Sequence, residues 1–219
     1  MPALLLGSIS TIADTSELQR QAFNRAFEAH GLDWRWEQDQ YRALLTTSGG
    51  QSRIADYAQS RGQTVDAKAV HETKSRIFQQ DLAKGDLVPR PGVVDSIKGA
   101  KSSGWKVGLV TTTSPANVAA LLGALRPHIQ ASDFDIIVDA ASVAQPKPDK
   151  AAYAFALDSL GEVPGDCVAV EDNVGGVEAA VAAGIACVAF PNENTAAGDF
   201  TAARRRVDRL DAADLLDLA

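Results

Sequence analysis

The sequence predicts an α/β fold: a parallel sheet, interrupted after its first strand by an α-helical insertion. Three observations predict it. Short apolar runs rich in Val, Ile and Leu recur with helical stretches between them, and such near-continuous strands belong to parallel sheets covered on both faces. The alternation breaks once, between Thr15 and about Asp86, where only helical periodicity is found. Hydrophobic residues make up 46% of the 219-residue chain, which suffices for a full core.

Taken in order, "ALLL" is the first strand, and it stops abruptly at Gly7. Gly7 to Thr11 reads as a loop ahead of a helix, and it contains no acid, base or strong nucleophile before Asp14. The insertion follows. Its helical patterns run through Leu18, Ala22, Phe23, Ala26 and Phe27, then Tyr41, Leu44 and Leu45, then Ile54, Tyr57 and Ala58, then Val70, Ile77 and Leu82. "TSGGQS" (Thr47–Ser52) breaks the middle of it, and "VPRPGV" (Val88–Val93) marks the return to the sheet. The later strands are "WKVGLVT" (Trp105–Thr111), "FDIIVDA" (Phe134–Ala140), "CVAVED" (Cys167–Asp172), "IACVAF" (Ile185–Phe190) and a short "RRVDRL". The boundaries expected are 1–14 and 87–219 for the sheet domain and 15–86 for the helical one.

The formal net charge of −7 disfavours nucleic acid and anionic membrane surfaces as partners. Arg204-Arg205-Arg206, close to Asp199, Asp208 and Asp211, reads as a solvated face. Cys167 and Cys187 sit in apolar runs as buried thiols of a reducing compartment. With no basic leader and no run long enough to cross a bilayer, a cytoplasmic location is expected.

In parallel sheets, ligands bind beyond the carboxyl ends of the strands. The candidate site residues are therefore those that follow each strand. Thr111, and the backbone N–H groups after it at Thr112, can hold an anionic oxygen, although a turn cap is an equal use for a threonine there. Lys147, between two prolines in "QPKPDKAAY", can pair with a phosphate; taken alone, an exposed lysine is the plainer reading. Glu171 and Asp172 suit a hard cation such as Mg²⁺, against the rival use of Asp172 or Asn173 as a helix cap.

Together these residues are more specific. The order Thr111, Lys147, Glu171-Asp172, with "EDNVGGVEAAVAAG", "RPGVVDSIKGAKSSGWKVGLVTTTS" and "KPDKAAYAFALDSLG", resembles the haloacid dehalogenase (HAD) superfamily over essentially the whole chain. "LLTTSGGQSRIADY" and "HETKSRIF" are similar to the β-phosphoglucomutase and xylulose bisphosphate phosphatase branch, in which a helical cap covers a Rossmann-like core. The resemblance implies phosphoryl transfer through an aspartyl-phosphate, with Mg²⁺ as cofactor and a second aspartate, two residues on, as general acid/base. It also implies that Arg53, Lys74 and the position of Gln51 face the substrate's far end from the cap.

The family's first loop reads approximately Asp-x-Asp-Gly-Thr-Leu-x-Asp-Thr. Aligned on Thr11, Ile12, Asp14 and Thr15, it puts Gly7 at the nucleophile and Ile9 at the acid/base. Gln19 stands where the branch usually has histidine, and Gln51 where it usually has lysine. Lys150 stands where it often has proline. Glycine cannot attack phosphorus and isoleucine cannot relay a proton; acid/base help alone is worth about 10²–10⁴ in rate. As for substitute nucleophiles, strand alternation turns Ser8 away from the direction of Gly7, and Ser10 has no evident base. The expectation is a HAD-type protein that has lost phosphoryl transfer, binds Mg²⁺ weakly or not at all at Asp172 and Glu171, and retains binding of phosphate or a small phosphorylated metabolite. The alternative is an active Mg²⁺-dependent sugar-phosphate phosphatase or mutase with a non-standard nucleophile.

Overall fold

The computed structural model describes residues 1–45 and 49–218. Among them, β1 (Ala3–Leu6), β2 (Lys106–Val110), β3 (Ile136–Val138), β4 (Cys167–Glu171), β5 (Ala186–Ala189) and β6 (Arg205–Arg206) pair in parallel, in the order β3-β2-β1-β4-β5-β6. Each strand lies inside the run that predicts it. The inner strands are buried on both faces because alternate residues enter two separate apolar clusters. Leu4, Leu6, Val107, Leu109, Val168 and Val170 face one way. Ala3, Leu5, Val110, Val138, Cys167 and Ala169 face the other, against Tyr153, Ala156 and Val177.

Among its described residues the predicted insertion contains helices and no strand. It comprises α2 (Ser16–Ala29), α3 (Gln38–Leu44), α4 (Gly50–Ser60) and α5 (Ala67–Leu82). Thr47 and Ser48 of the predicted break lie outside the described residues. An aromatic core holds these helices together: Phe27 meets Trp36 edge-on at 4.7 Å between ring centroids, and Phe23 lies 4.9 Å from Trp36.

The rest of the sheet is connected by α6 (Val93–Ser102), α7 (Pro115–Ala124), α8 (Ala151–Leu160), α9 (Val174–Ala182) and α10 (Ala212–Leu216). Side-chain caps set several of these starts. Ser114 accepts from Asn117 N–H with Pro115 in the first turn of α7, and Asn173 accepts from Gly176 N–H at α9. The α9 cap is therefore Asn173, which leaves Asp172 for other work. Arg205 and Arg206 are exposed as expected, and Arg205 pairs with Asp214 at 2.7 Å.

One local expectation changes. The first loop contains a single helical turn, α1 (Ile9–Ile12), capped by Ser8, whose hydroxyl accepts from the N–H groups of Ser10 and Thr11. Ile9 is buried in that turn with the core. β1 has already ended at Leu6, so strand alternation does not govern Ser8.

Candidate active site

The strand order reverses between β1 and β4, and the crevice beyond their carboxyl ends is where such sheets bind ligands. A cavity of about 640 Å³ lies there. Its floor comes from the sheet loops: Ser10, Thr111, Thr112, Lys147, Asp172 and Asn192. Its roof comes from the helical segment: Gln19, Gln51, Arg53, His71 and Lys74. Eight of the sequence candidates (Gln19, Gln51, Arg53, Lys74, Thr111, Thr112, Lys147 and Asp172) thus meet in one space. Gly7, Ile9 and Glu171 do not line it.

Lys147 is buried, which overturns its plain reading as a surface lysine. Its ammonium donates to the Gly7 carbonyl, to the Val110 carbonyl at 2.6 Å and to Glu171 Oε1 at 2.5 Å. An ammonium has three donors, so all three are engaged within the chain. Glu171 is fully buried beneath the floor and also accepts from Tyr153 Oη at 2.8 Å. Burial pushes the Glu171 carboxyl up, and Lys147 opposes the shift. Its other oxygen, Oε2, has no hydrogen-bond partner among the described residues.

Gly7 explains why Glu171 fits. A Cβ built on Gly7 would stand 2.1 Å from the Glu171 carboxyl carbon and 2.5 Å from Tyr153 Oη. A Cβ on Gly176, on the opposite side, would also stand 2.1 Å from that carbon. The carboxylate lies between two glycines, in the space a side chain at position 7 would enter.

Asp172 is held differently. Oδ1 accepts from Ser8 Oγ at 2.6 Å, from Asn173 Nδ2 at 3.2 Å and from Thr11 Oγ1 at 3.3 Å. Oδ2 accepts from Asn192 Nδ2 at 3.0 Å. Neutral donors surround it, and no ion pair to Asp172 occurs among the described residues. Strand alternation does not set the direction of Ser8, whose hydroxyl reaches Asp172. The signal for Ser8 was its capping chemistry. Asn192 could have been found as a residue just past β5, where the strand-end rule also applies.

Thr111 fulfils its turn reading: its hydroxyl accepts from Thr113 N–H at 3.2 Å. Across the cavity, Lys74 is buried and donates to Gln19 Oε1 at 3.0 Å. Gln19 Nε2 reaches Ser10 Oγ at 3.4 Å and Thr15 Oγ1 at 3.3 Å, tying roof to floor. The Lys74 ammonium lies 4.8 Å from the Phe23 ring centre and 5.1 Å from that of Phe78. Burial, with Arg53 nearby, lowers its pKa to about 7. Burial, then Lys74 and Arg53, lower that of His71 to about 4, which leaves it neutral. Arg53 is buried, donates to the Leu44 carbonyl at 2.8 Å and lies over Tyr41.

A crevice at the β1/β4 switch, roofed by helices inserted after β1, is the arrangement of a HAD-like hydrolase fold. The chain belongs to the haloacid dehalogenase-like hydrolase family, whose model matches residues 10–184. The match starts immediately past Gly7 and Ile9. Within the family it stands in the CbbY-like branch. It is 40% identical to protein CbbY of Rhodobacter capsulatus, over 97% of this chain and 95% of that one. The crystal structure of CbbY from Rhodobacter sphaeroides in complex with phosphate is 38% identical, with a TM-score of 0.86 over 94% of this chain and 93% of that chain. A mutant of that protein in complex with xylulose-(1,5)bisphosphate has a TM-score of 0.87 at the same identity and coverage. No described helix is long and apolar enough to cross a membrane.

Proposed function

We propose that this chain is a HAD-fold binding protein that has lost phosphoryl transfer and takes up a small phosphorylated metabolite without a metal, under a cap formed by residues 15–86. The observation that carries the reading is the floor itself. Where the family places two aspartates, Gly7 has no side chain and Ile9 is buried in the core. The relative solved with phosphate, and the mutant solved with xylulose-(1,5)bisphosphate, make phosphorylated compounds the natural ligands to try.

Mg²⁺ prefers an octahedral oxygen site that includes carboxylates and phosphate. The donor set does not suit it. Asp172 is the sole carboxylate among the described residues of the cavity wall, and four side-chain donors already occupy its oxygens. Glu171 is turned beneath the floor, against Lys147. No step is therefore routed through a metal.

One observation favours an active enzyme instead. Ser8 Oγ lies 2.6 Å from Asp172 Oδ1, the spacing of a nucleophile and its base. Against this, the same oxygen accepts from two backbone N–H groups, Ser10 and Thr11, so both of its lone pairs are engaged.

Phosphate release with Mg²⁺ over a panel of sugar phosphates tests the reading, beside calorimetry with the same compounds in EDTA. Binding without turnover is expected. Release above a no-enzyme control that disappears in Ser8→Ala would establish the serine enzyme and overturn loss of catalysis.

A further inference from the structure

The cavity's two ends carry opposite charge. On the floor, Lys147 and Glu171 cancel, and all three Lys147 donors are engaged. Asp172 remains as an anion facing the cavity, held by uncharged donors. Arg90, whose field reaches Asp172, is half-buried behind the floor with its N–H groups on the carbonyls of Ser10, Phe190 and Pro191, and does not line the cavity. The roof presents Lys74 and Arg53. Among the described residues no carboxylate lies within ion-pair distance of Lys74, although it is 4% exposed. A buried cation needs a counter-charge or loses its proton, and the described residues supply none at this place.

We propose that the cavity accepts a ligand with a single anionic group, a monophosphorylated sugar or polyol, held by Lys74 and Arg53 under the roof, with its uncharged hydroxyl end on Thr111, Thr112 and Asp172. The Glu171 carboxylate acts as a built-in anion that closes the floor to a second phosphate. The inference rests on the binding role proposed above and narrows its ligand class. It departs from two-ended recognition of a bisphosphate, because Asp172 repels an anion at the floor and Lys147, its three donors engaged, offers that anion no hydrogen bond.

The groups facing Lys74 define a proton signature. They are Gln19 on α2, Arg53 on α4, His71 on α5 itself, and Tyr41 and Asp172 across the cavity. α7, also packed on α5, carries no titratable side chain within Pro115–Ala124. Of the other charges on α2 and α5, Arg20 pairs with Glu17, Arg25 with Asp81 and Lys68 with Glu72, while Glu28 and Arg76 are exposed. With Lys74 near 7 and His71 near 4, an anion docking on Lys74 at pH 8 draws a proton onto its amine.

The test is titration calorimetry of the intact chain at pH 8, in two buffers of different ionisation enthalpy, with fructose 6-phosphate, fructose 1,6-bisphosphate and inorganic phosphate. The expected result is binding of the monophosphate with uptake of a fraction of a proton, at least tenfold weaker binding of the bisphosphate, and loss of the proton signal in Lys74→Met. Glu171→Gln should narrow the gap between the two sugars. Tighter binding of the bisphosphate than of the monophosphate would overturn single-ended recognition while leaving the binding role intact. Monophosphate binding without proton uptake, or undiminished in Lys74→Met, would remove Lys74 from the site. Absence of binding by all three probes would overturn both this inference and the binding role.

Discussion

Restoring an aspartate at position 7 is the direct challenge to the floor geometry. The new Cβ would stand 2.1 Å from the Glu171 carboxyl carbon. The backbone there need not move, because the obstacle is the end of a side chain. That end is nonetheless pinned by Lys147 at 2.5 Å and Tyr153 at 2.8 Å, with Gly176 at its back. Gly7→Asp therefore places two carboxylates against one ammonium in a dry space. Overpacking of a filled core costs about 1–3 kcal/mol. At roughly 2–4 °C per kcal/mol for a chain of this size, the melting temperature should fall by about 2–12 °C. Removing the obstacle should reverse the effect. In Gly7→Asp/Glu171→Ala the carboxylate has moved from one side of Lys147 to the other, so the double variant should recover more than half of the loss. Thermal unfolding of the wild type, both single variants and the double variant closes the cycle. A Gly7→Asp protein melting within 1 °C of the wild type, as an order-of-magnitude threshold, would refute the claim that Glu171 occupies this space. So would additive losses in the double variant. The same geometry predicts that Gly7→Asp/Ile9→Asp stays inactive in phosphate release while Glu171 keeps its place.

Other outcomes follow from the same contacts. The lowered Lys74 pKa means that the unfolded chain binds more protons than the folded one between about pH 7 and 10.5, so this group makes stability rise with pH across that window. Lys74→Met removes that slope, and its stability advantage over the wild type should shrink by about 2–3 kcal/mol between pH 7 and 9, at about 1.36 kcal/mol per unit, in denaturant unfolding at the two pH values. Ser8→Ala removes the α1 cap and a donor to Asp172 and should cost about 1–2 kcal/mol by the same measurement. Millimolar Mg²⁺ should leave the melting temperature unchanged within error, whereas a bound metal at 100 times its dissociation constant would add about 2.7 kcal/mol.

The sheet was legible in the sequence because β1 to β5 lie largely buried between two apolar clusters, so that each appears as an apolar run whatever its neighbours. The helical segment was legible because Leu18, Ala22, Phe23, Ala26 and Phe27 recur with helical spacing. Less legible were the directions of side chains just past the strand ends. Where β1 stops determines where Ser8 points, and a stop at Leu6 followed by one helical turn is a matter of hydrogen bonding that periodicity does not report.

By itself, the sequence determined that positions 7 and 9 carry glycine and isoleucine, which can neither attack phosphorus nor relay a proton, and that Lys147, Glu171 and Asp172 are present. These are facts of covalent chemistry, independent of folding. Only the tertiary structure decided what the remaining residues do. The sheet brings the end of β1 beside that of β4, although Ser8 and Asp172 are 164 positions apart in the chain. In that crevice the side chain missing at Gly7 leaves room for Glu171, Glu171 engages Lys147, and Ser8 takes up Asp172. A buried charge must find partners within reach, and which partners are within reach is set by the packing.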